Sequence, residues 1–251
     1  AAMLQPWIGW WGIGVAGVLT LVAAGFGLYV WRLTRKSASI VDILKEAKDP
    51  EGRKAALEKL SAAKGAGKDA LNALARAQLV AQERPAEAIE ILESVDLKKA
   101  PAVVQDDIRA NLALMYLLNN RVRDASDLVE NLRLDRQPQA KAKGMYAAVM
   151  AETYARTKKA GEAKKLLETY DPDDPEYAEV KAMLLRAQVY TYTATKNRGL
   201  ARKAMEKLLW ADPNMVAAFA QKGQRPELTN MAKQLLNKSG AIPKQRQRIM
   251  R

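Results

Sequence analysis

The chain of 251 residues contains no cysteine and no histidine. Without cysteine, disulfides, thiolate metal sites and cysteine nucleophiles are excluded. Without histidine, the commonest general base and the commonest transition-metal ligand are missing, so neither a Ser-His-Asp triad nor an HExxH zinc site can be built. Lys- or carboxylate-based chemistry is the remaining enzymatic alternative. The sequence is read as non-enzymatic, with no catalytic residue, metal or cofactor expected. The missing cysteine selects no compartment, because it suits a reducing cytosol and a disulfide-free periplasmic protein alike. Phenylalanine occurs only twice, whereas Ala, Leu, Lys, Glu and Gln are abundant. Unbranched side chains lose little rotamer freedom on a helix, so the expected fold class is all-α.

At 49% hydrophobic residues the chain can bury a sizeable core. Its formal charge is +13, from 41 basic and 28 acidic residues, and every charged side chain lies at or after Arg32. Such an excess suits anionic lipid, acidic protein surfaces or nucleic acid. No nucleic-acid-binding motif accompanies it, which makes nucleic acid the least favoured of the three.

From Trp7 to Trp31 the chain runs 25 residues without a charge. As a helix this segment is roughly 37 Å long, enough to cross a ~30 Å hydrocarbon core with some tilt. Trp7, Trp10 and Trp11 mark one end and Tyr29 and Trp31 the other, where amphipathic rings sit at headgroup level. A transmembrane helix is expected here. The cleaved-signal alternative needs a basic leader, and AAMLQP has none. Arg32, Arg35 and Lys36 follow the span and no basic residue precedes it, so the positive-inside rule places the C-terminal side in the cytoplasm. A periplasmic placement is the alternative. Gly12, Gly14 and Gly17 spell GxGxxG, which has no meaning outside a strand–helix context. Gly12, Ala16, Thr20 and Ala24 form a small-residue stripe suited to contact with another transmembrane helix; the alternative is that Gly and Ala are simply common in this span.

After Ser37, amphipathic segments alternate with breaks at Asp49-Pro50, Gly65 to Gly67, Pro85, Pro101, Pro138, Asp174-Pro175, Asp212-Pro213 and Pro226. Pro in a first helical turn and Gly beyond a helix end are the expected punctuation. The breaks outline helices of about 10 to 20 residues joined as hairpins. The GAGKDA stretch from Gly65 lacks P-loop spacing and a preceding strand, and reads as a turn with a helix start.

A periodic pattern runs through these segments. Leu112, Ala113, Tyr116, Ala125, Val129 and Leu132 are followed by Pro138. Met150, Ala151, Tyr154, Ala163, Leu167, Tyr170 and Pro175 repeat the order, and Tyr192, Ala201, Met205, Leu208 and Pro213 do so again, with Val189 at a small-residue position. A weaker copy has Ala77, Ala88, Leu92, Val95 and Pro101. The alanines Ala88, Ala125, Ala163 and Ala201 are 37, 38 and 38 residues apart. This pattern resembles the tetratricopeptide repeat family, whose period is about 34 residues. An irregular helical bundle is the competing reading. The resemblance implies an α-solenoid of stacked hairpins, each burying its apolar face on the next.

The chain is therefore read as a transmembrane anchor with a basic flank over 1–36, a repeat domain over 37–238 and a basic tail over 239–251. Ile40 to Ala47 with Gly52 to Ala63 form a first hairpin, and Asn214 to Lys222 with Pro226 to Asn237 a closing pair. In the family, peptides or partner helices lie on the concave face made by the first helix of each hairpin. By repeat position the resemblance places Asn111, Leu114, Glu152, Arg156, Arg186 and Tyr190 there. Arg156 and Arg186 can fork onto a carboxylate and Tyr190 offers a flat contact; the alternative is a solvated surface with internal ion pairs such as Arg156–Glu152 at i,i+4. Arg32, Arg35, Lys36, Lys244, Arg246, Arg248 and Arg251 are candidates for anionic headgroups, at about 1 kcal/mol each near a surface, or for an acidic partner. For the tail, plain solvation is the alternative. The resemblance implies an adaptor for other proteins in a bacterial inner-membrane or envelope assembly of secretion, pilus or motor type. The alternative is a periplasm-facing chaperone-like or translocon-associated protein.

Overall fold

The computed structural model describes residues 39–240, apart from 41, 48, 64–68, 82 and 222. The expected span over 7–31, with Gly12, Ala16, Thr20 and Ala24, lies outside the described residues. So do Arg32, Arg35 and Lys36, the tail residues Lys244, Arg246, Arg248 and Arg251, and the break at Gly65 to Gly67. Among the described residues no helix is long and apolar enough to cross a membrane, and every regular element is helical. The chain divides into two compact units between Ile91 and Leu92.

In the first unit, helical residues 42–46 precede α1 (Pro50–Ala62) and α2 (Ala70–Val80), and α3 (Pro85–Glu93) begins. Asp–Pro and Asp signals act locally. The Asp49 carboxylate accepts the backbone N–H of Gly52 at 2.6 Å, and Asp69 accepts those of Leu71 and Asn72 at 3.1 and 3.3 Å. Each satisfies donors that a helix start leaves without partners. Helices α1 and α2 are tied by the buried Asn72 side chain, which donates to the Leu60 carbonyl at 2.8 Å.

The second unit holds α4 (Ala102–Leu118), α5 (Val122–Val129), α6 (Ala140–Arg156), α7 (Ala160–Thr169), α8 (Lys181–Ala194), α9 (Arg198–Ala211), α10 (Pro213–Phe219) and α11 (Pro226–Ser239). They pair as α4/α5, α6/α7, α8/α9 and α10/α11, and α6 lies between α4 and α8. The periodic small residues occupy the helix contacts. Ala125 and Ala163 are fully buried and Ala201 nearly so, as are Ala113, Ala151 and Val189. Val129, Leu167 and Met205 fill the next buried layer.

Each of the first three pairs turns through three residues with one recurring closure. The N–H groups of Arg121, Lys159 and Asn197 donate to the carbonyls of Tyr116, Tyr154 and Tyr192, each at 2.8 Å. The residue before each donor is left-handed: Asn120 (φ 61°), Lys158 (φ 71°) and Lys196 (φ 60°). This is the Schellman arrangement, which satisfies end-of-helix carbonyls and usually takes Gly. Longer connections, residues 130–139 and 170–180, join successive pairs.

The second connection contains a 3₁₀ helix, Pro175–Val180, opened by Asp174, whose carboxylate accepts the Glu176 N–H at 2.8 Å. It packs so closely on α6 that a Cβ on Gly144 would sit 2.7 Å from Val180 Cγ2 and 2.9 Å from Tyr177 Cδ1. The first connection is held by a buried polar cluster. Tyr146 Oη donates to Asp107 at 2.6 Å, and the Gln137 amide donates to Tyr146 Oη at 2.9 Å and to Asp107 at 3.2 Å. Burial raises the Asp107 carboxyl above its ordinary value, against the lowering effect of the Tyr146 hydrogen bond. The closing pair is anchored by fully buried Phe219 and Leu228, and the Thr229 hydroxyl donates to the Phe219 carbonyl at 3.1 Å.

Candidate functional site

Helices α4, α6 and α8 are the first helices of successive pairs, and charged side chains of α6 and α8 meet the C-terminal end of α4 at one cluster in the second unit. Glu152 and Arg156 are one turn apart on α6, and Arg186 comes from α8. Arg186 Nε and Nη2 donate to the two Glu152 oxygens at 2.8 and 3.0 Å, a bidentate fork. Arg156 Nη1 donates to Glu152 Oε1 at 2.8 Å and to the Leu117 carbonyl at 3.0 Å, and its Nη2 donates to the Asn120 side-chain oxygen.

Glu152 and Arg186 are each only 2% exposed. Burial alone would raise the Glu152 carboxyl, but Arg186 and then Arg156 overcome it and hold the group below its ordinary value. Arg186 is likewise pushed down by burial and carried above its ordinary value by Glu152. One carboxylate thus faces two guanidinium groups, and the cluster retains a positive charge.

Aromatic rings seat these cations. The Arg156 guanidinium lies 4.7 Å from the Tyr190 ring centroid, and that of Arg186 lies 5.4 Å from Tyr190 and 5.2 Å from Phe219. The two rings are 5.1 Å apart and tilted by 42°. Such stacking is worth about 0.5–2 kcal/mol per cation, more where water is excluded.

The cluster opens on a cavity of about 180 Å³ lined by Asn120, Val122, Arg156, Tyr190, Gly223, Gln224 and Arg225. Its far wall is the turn between α10 and α11. Tyr190 Oη donates to Gln224 Oε1 at 2.9 Å, and the Asn120 amide reaches the Gly223 carbonyl at 3.4 Å. Arg225, exposed, adds a second cation at the rim.

Of the six positions expected on the concave face, the structure brings together four: Glu152, Arg156, Arg186 and Tyr190. Glu152 and Arg186 are committed to each other below the surface, so Arg186 is not free to fork onto an incoming carboxylate. The reason is local, because Glu152 sits within reach of both guanidinium groups and satisfies Arg186 with both oxygens. Arg156 and the Tyr190 hydroxyl reach the cavity. Asn111 is bonded along its own helix, donating to the Asp107 carbonyl at 2.8 Å, and Leu114 is half-buried on α4. Asn120, Phe219, Gly223, Gln224 and Arg225 were not legible as site residues. For Asn120 a signal existed, since Asn120, Lys158 and Lys196 recur every 38 residues.

A second carboxylate, Asp106, is 1% exposed and paired with Arg109 at 2.9 Å. Arg136 stands 3.8 Å from its other oxygen, which accepts no hydrogen bond. Among the described residues no group of three or more His, Asp or Glu side chains is placed to hold a metal ion.

No curated protein matches the chain. Residues 79–149, from within α2 to within α6, match the tetratricopeptide repeat family. The recurring pairs, their buried alanines and their tyrosine-closed turns agree with that match, which supports tetratricopeptide repeats over 79–149, a kind of module that serves in protein–protein interaction.

Proposed function

We propose that the protein is a membrane-tethered adaptor that holds a partner protein against the first-helix face of its repeats, within a bacterial inner-membrane or envelope assembly. The observation that carries this reading is the Arg156–Tyr190 cavity, where the largely buried Arg156 cation, a phenol hydroxyl and the exposed Arg225 converge. Such a set favours a partner that brings carboxylate or carbonyl acceptors. The uncharged stretch over 7–31 supports the tether. Seven of the basic residues lie in the flank after it and in the tail: Arg32, Arg35, Lys36, Lys244, Arg246, Arg248 and Arg251. They would lie along anionic headgroups if the repeats face the cytoplasm.

Purification of the full chain in mild detergent, followed by mass spectrometry of co-eluting proteins, tests the adaptor. A stoichiometric partner lost on Arg156→Ala is expected. A chain that elutes alone and monomeric from its native membranes would remove the reading. C-terminal reporter fusions test orientation: activity of a reporter that works only in the periplasm would reverse it.

A further inference from the structure

The turn that walls the cavity has the properties of a movable element. Gly223 is left-handed (φ 97°), and a Cβ built on it meets nothing within 4 Å, so the turn is not packed down at that point. Gly223 and Arg225 are exposed and Gln224 half-buried. On either side the chain is fixed, by Phe219 and Leu228, both fully buried, and by the Thr229–Phe219 bond. Between those anchors Glu227 pairs with Arg198 at 3.1 Å at the start of α11, whereas the described hydrogen bonds of 223–225 to the repeat face are both neutral, Tyr190–Gln224 at 2.9 Å and the long Asn120–Gly223 contact at 3.4 Å. Exposed backbone with few buried contacts opens at small cost, independently of global unfolding.

We infer that the Gly223–Gln224–Arg225 turn is an internal competitor for the Arg156–Tyr190 face, which a partner's acidic segment must displace in order to bind. The inference rests on the groove reading above and adds its regulation. The turn presents acceptors to the face: the Gln224 side-chain oxygen takes the Tyr190 proton and the Gly223 carbonyl takes the Asn120 amide. An incoming carboxylate offers the same kind of acceptor with a full charge, and charge-assisted bonds are roughly twice as strong as neutral ones. Displacement also leaves Arg225 attached to the turn and able to pair with the ligand. The fold therefore favours the closed state when no acid is present and yields to one.

One position tests this in both directions, using the full chain in detergent micelles. Gln224→Ala removes the acceptor, and Gln224→Glu supplies a charged one to Tyr190 beside Arg156. Amide exchange at 223–225 reports opening. The binding probe is a fluorescein-labelled (Asp-Leu)4 peptide, with (Lys-Leu)4 as the control. Gln224→Ala is expected to speed exchange and tighten (Asp-Leu)4 binding by about 3- to 10-fold, the range a single neutral hydrogen bond supplies. Gln224→Glu is expected to slow exchange and weaken binding, and (Lys-Leu)4 to bind none of the proteins. Equal (Asp-Leu)4 affinity across the three proteins overturns the competitor and leaves the groove standing. Failure of all three to bind the peptide overturns the groove with it. A clear drop in melting temperature for Gln224→Ala also overturns the inference, because the turn would then be a structural seam.

Discussion

Glu152→Gln is the sharpest test of how the repeat face is built. The substitution preserves shape and leaves an oxygen that can still accept a hydrogen bond. What it removes is the charge between Arg186, itself 2% exposed, and Arg156. Two guanidinium groups, both nearly buried, are then left together with no counter-charge. Breaking a buried pair from one side costs about 3–5 kcal/mol, which at about 2–4 °C per kcal/mol for a unit of this size lowers Tm by roughly 6–20 °C. The assay is thermal and urea denaturation followed by helical circular dichroism, with the m-value checked for two-state behaviour. The pH dependence carries a sign. The Glu152 carboxyl is held below its ordinary value of 4.5 by the two arginines, so its stabilisation is complete above that pH and is lost as pH falls through the lower, folded-state value. The gap between wild type and variant should therefore be constant near neutrality and narrow in acid. Adding Arg186→Met should recover about 0.5–3 kcal/mol, because it removes the stranded charge and the two sites are coupled. A loss under about 1 kcal/mol for Glu152→Gln, or strict additivity of the pair, would refute the buried-charge account.

Gly144→Ala gains up to about 1 kcal/mol of helix propensity, yet it should destabilise the second unit by about 1–3 kcal/mol. The new methyl meets Val180 and Tyr177, which are themselves buried; equilibrium unfolding in urea decides the sign. Lys158→Gly and Lys196→Gly should each stabilise by about 1 kcal/mol, since a left-handed conformation costs an L-residue about 1–2 kcal/mol and glycine almost nothing; thermal melts check both. The Tyr116 phenol is pushed up to about 12 by burial and by its 2.5 Å hydrogen bond to Glu93. Its contribution to stability is thus present below pH 10 and lost as pH rises through about 12, and ultraviolet titration should find Glu93→Gln titrating lower than wild type.

The parts of the fold that could be read in the sequence are those whose causes are local. Asp174 and Asp212 each precede a proline, and both carboxylates cap the helical turn that follows, Asp212 accepting the Asn214 N–H at 2.9 Å. The alanine period was visible because close helix approach permits few residue types, and the tyrosines were visible because they recur in phase with it. The left-handed closures were harder. Asn120 is a common choice at such a position, but Lys158 and Lys196 carry no chemical mark of it, and only their shared spacing gives them away. The site was legible on one side alone. Repeat position pointed to Arg156 and Tyr190, while nothing local links Asn120 to Gly223, 103 residues further on. The 1–36 and 239–251 segments were read from hydropathy and charge, and lie almost wholly outside the described residues.

The charged positions on α6 and α8 expose why repeat position alone misassigns surface. In a stack, each first helix is flanked by the first helices of its neighbours, so a residue aimed toward the concave side can close against the next repeat before it meets solvent. Glu152 does so, because α8 brings Arg186 to it at 2.8 Å. A hydrophobic contact at that seam would tolerate sliding of one helix along the other, whereas a bidentate fork is satisfied in a single register. The same fork orients the Tyr190 ring through Arg186 at 5.4 Å, and Arg156 stacks on that ring from the other repeat at 4.7 Å. Register of the stack and geometry of the face are thus set by one group of side chains. In an array whose stability is a sum of nearest-neighbour interfaces, a charge change at Glu152 must therefore alter the α6/α8 seam and the binding face together.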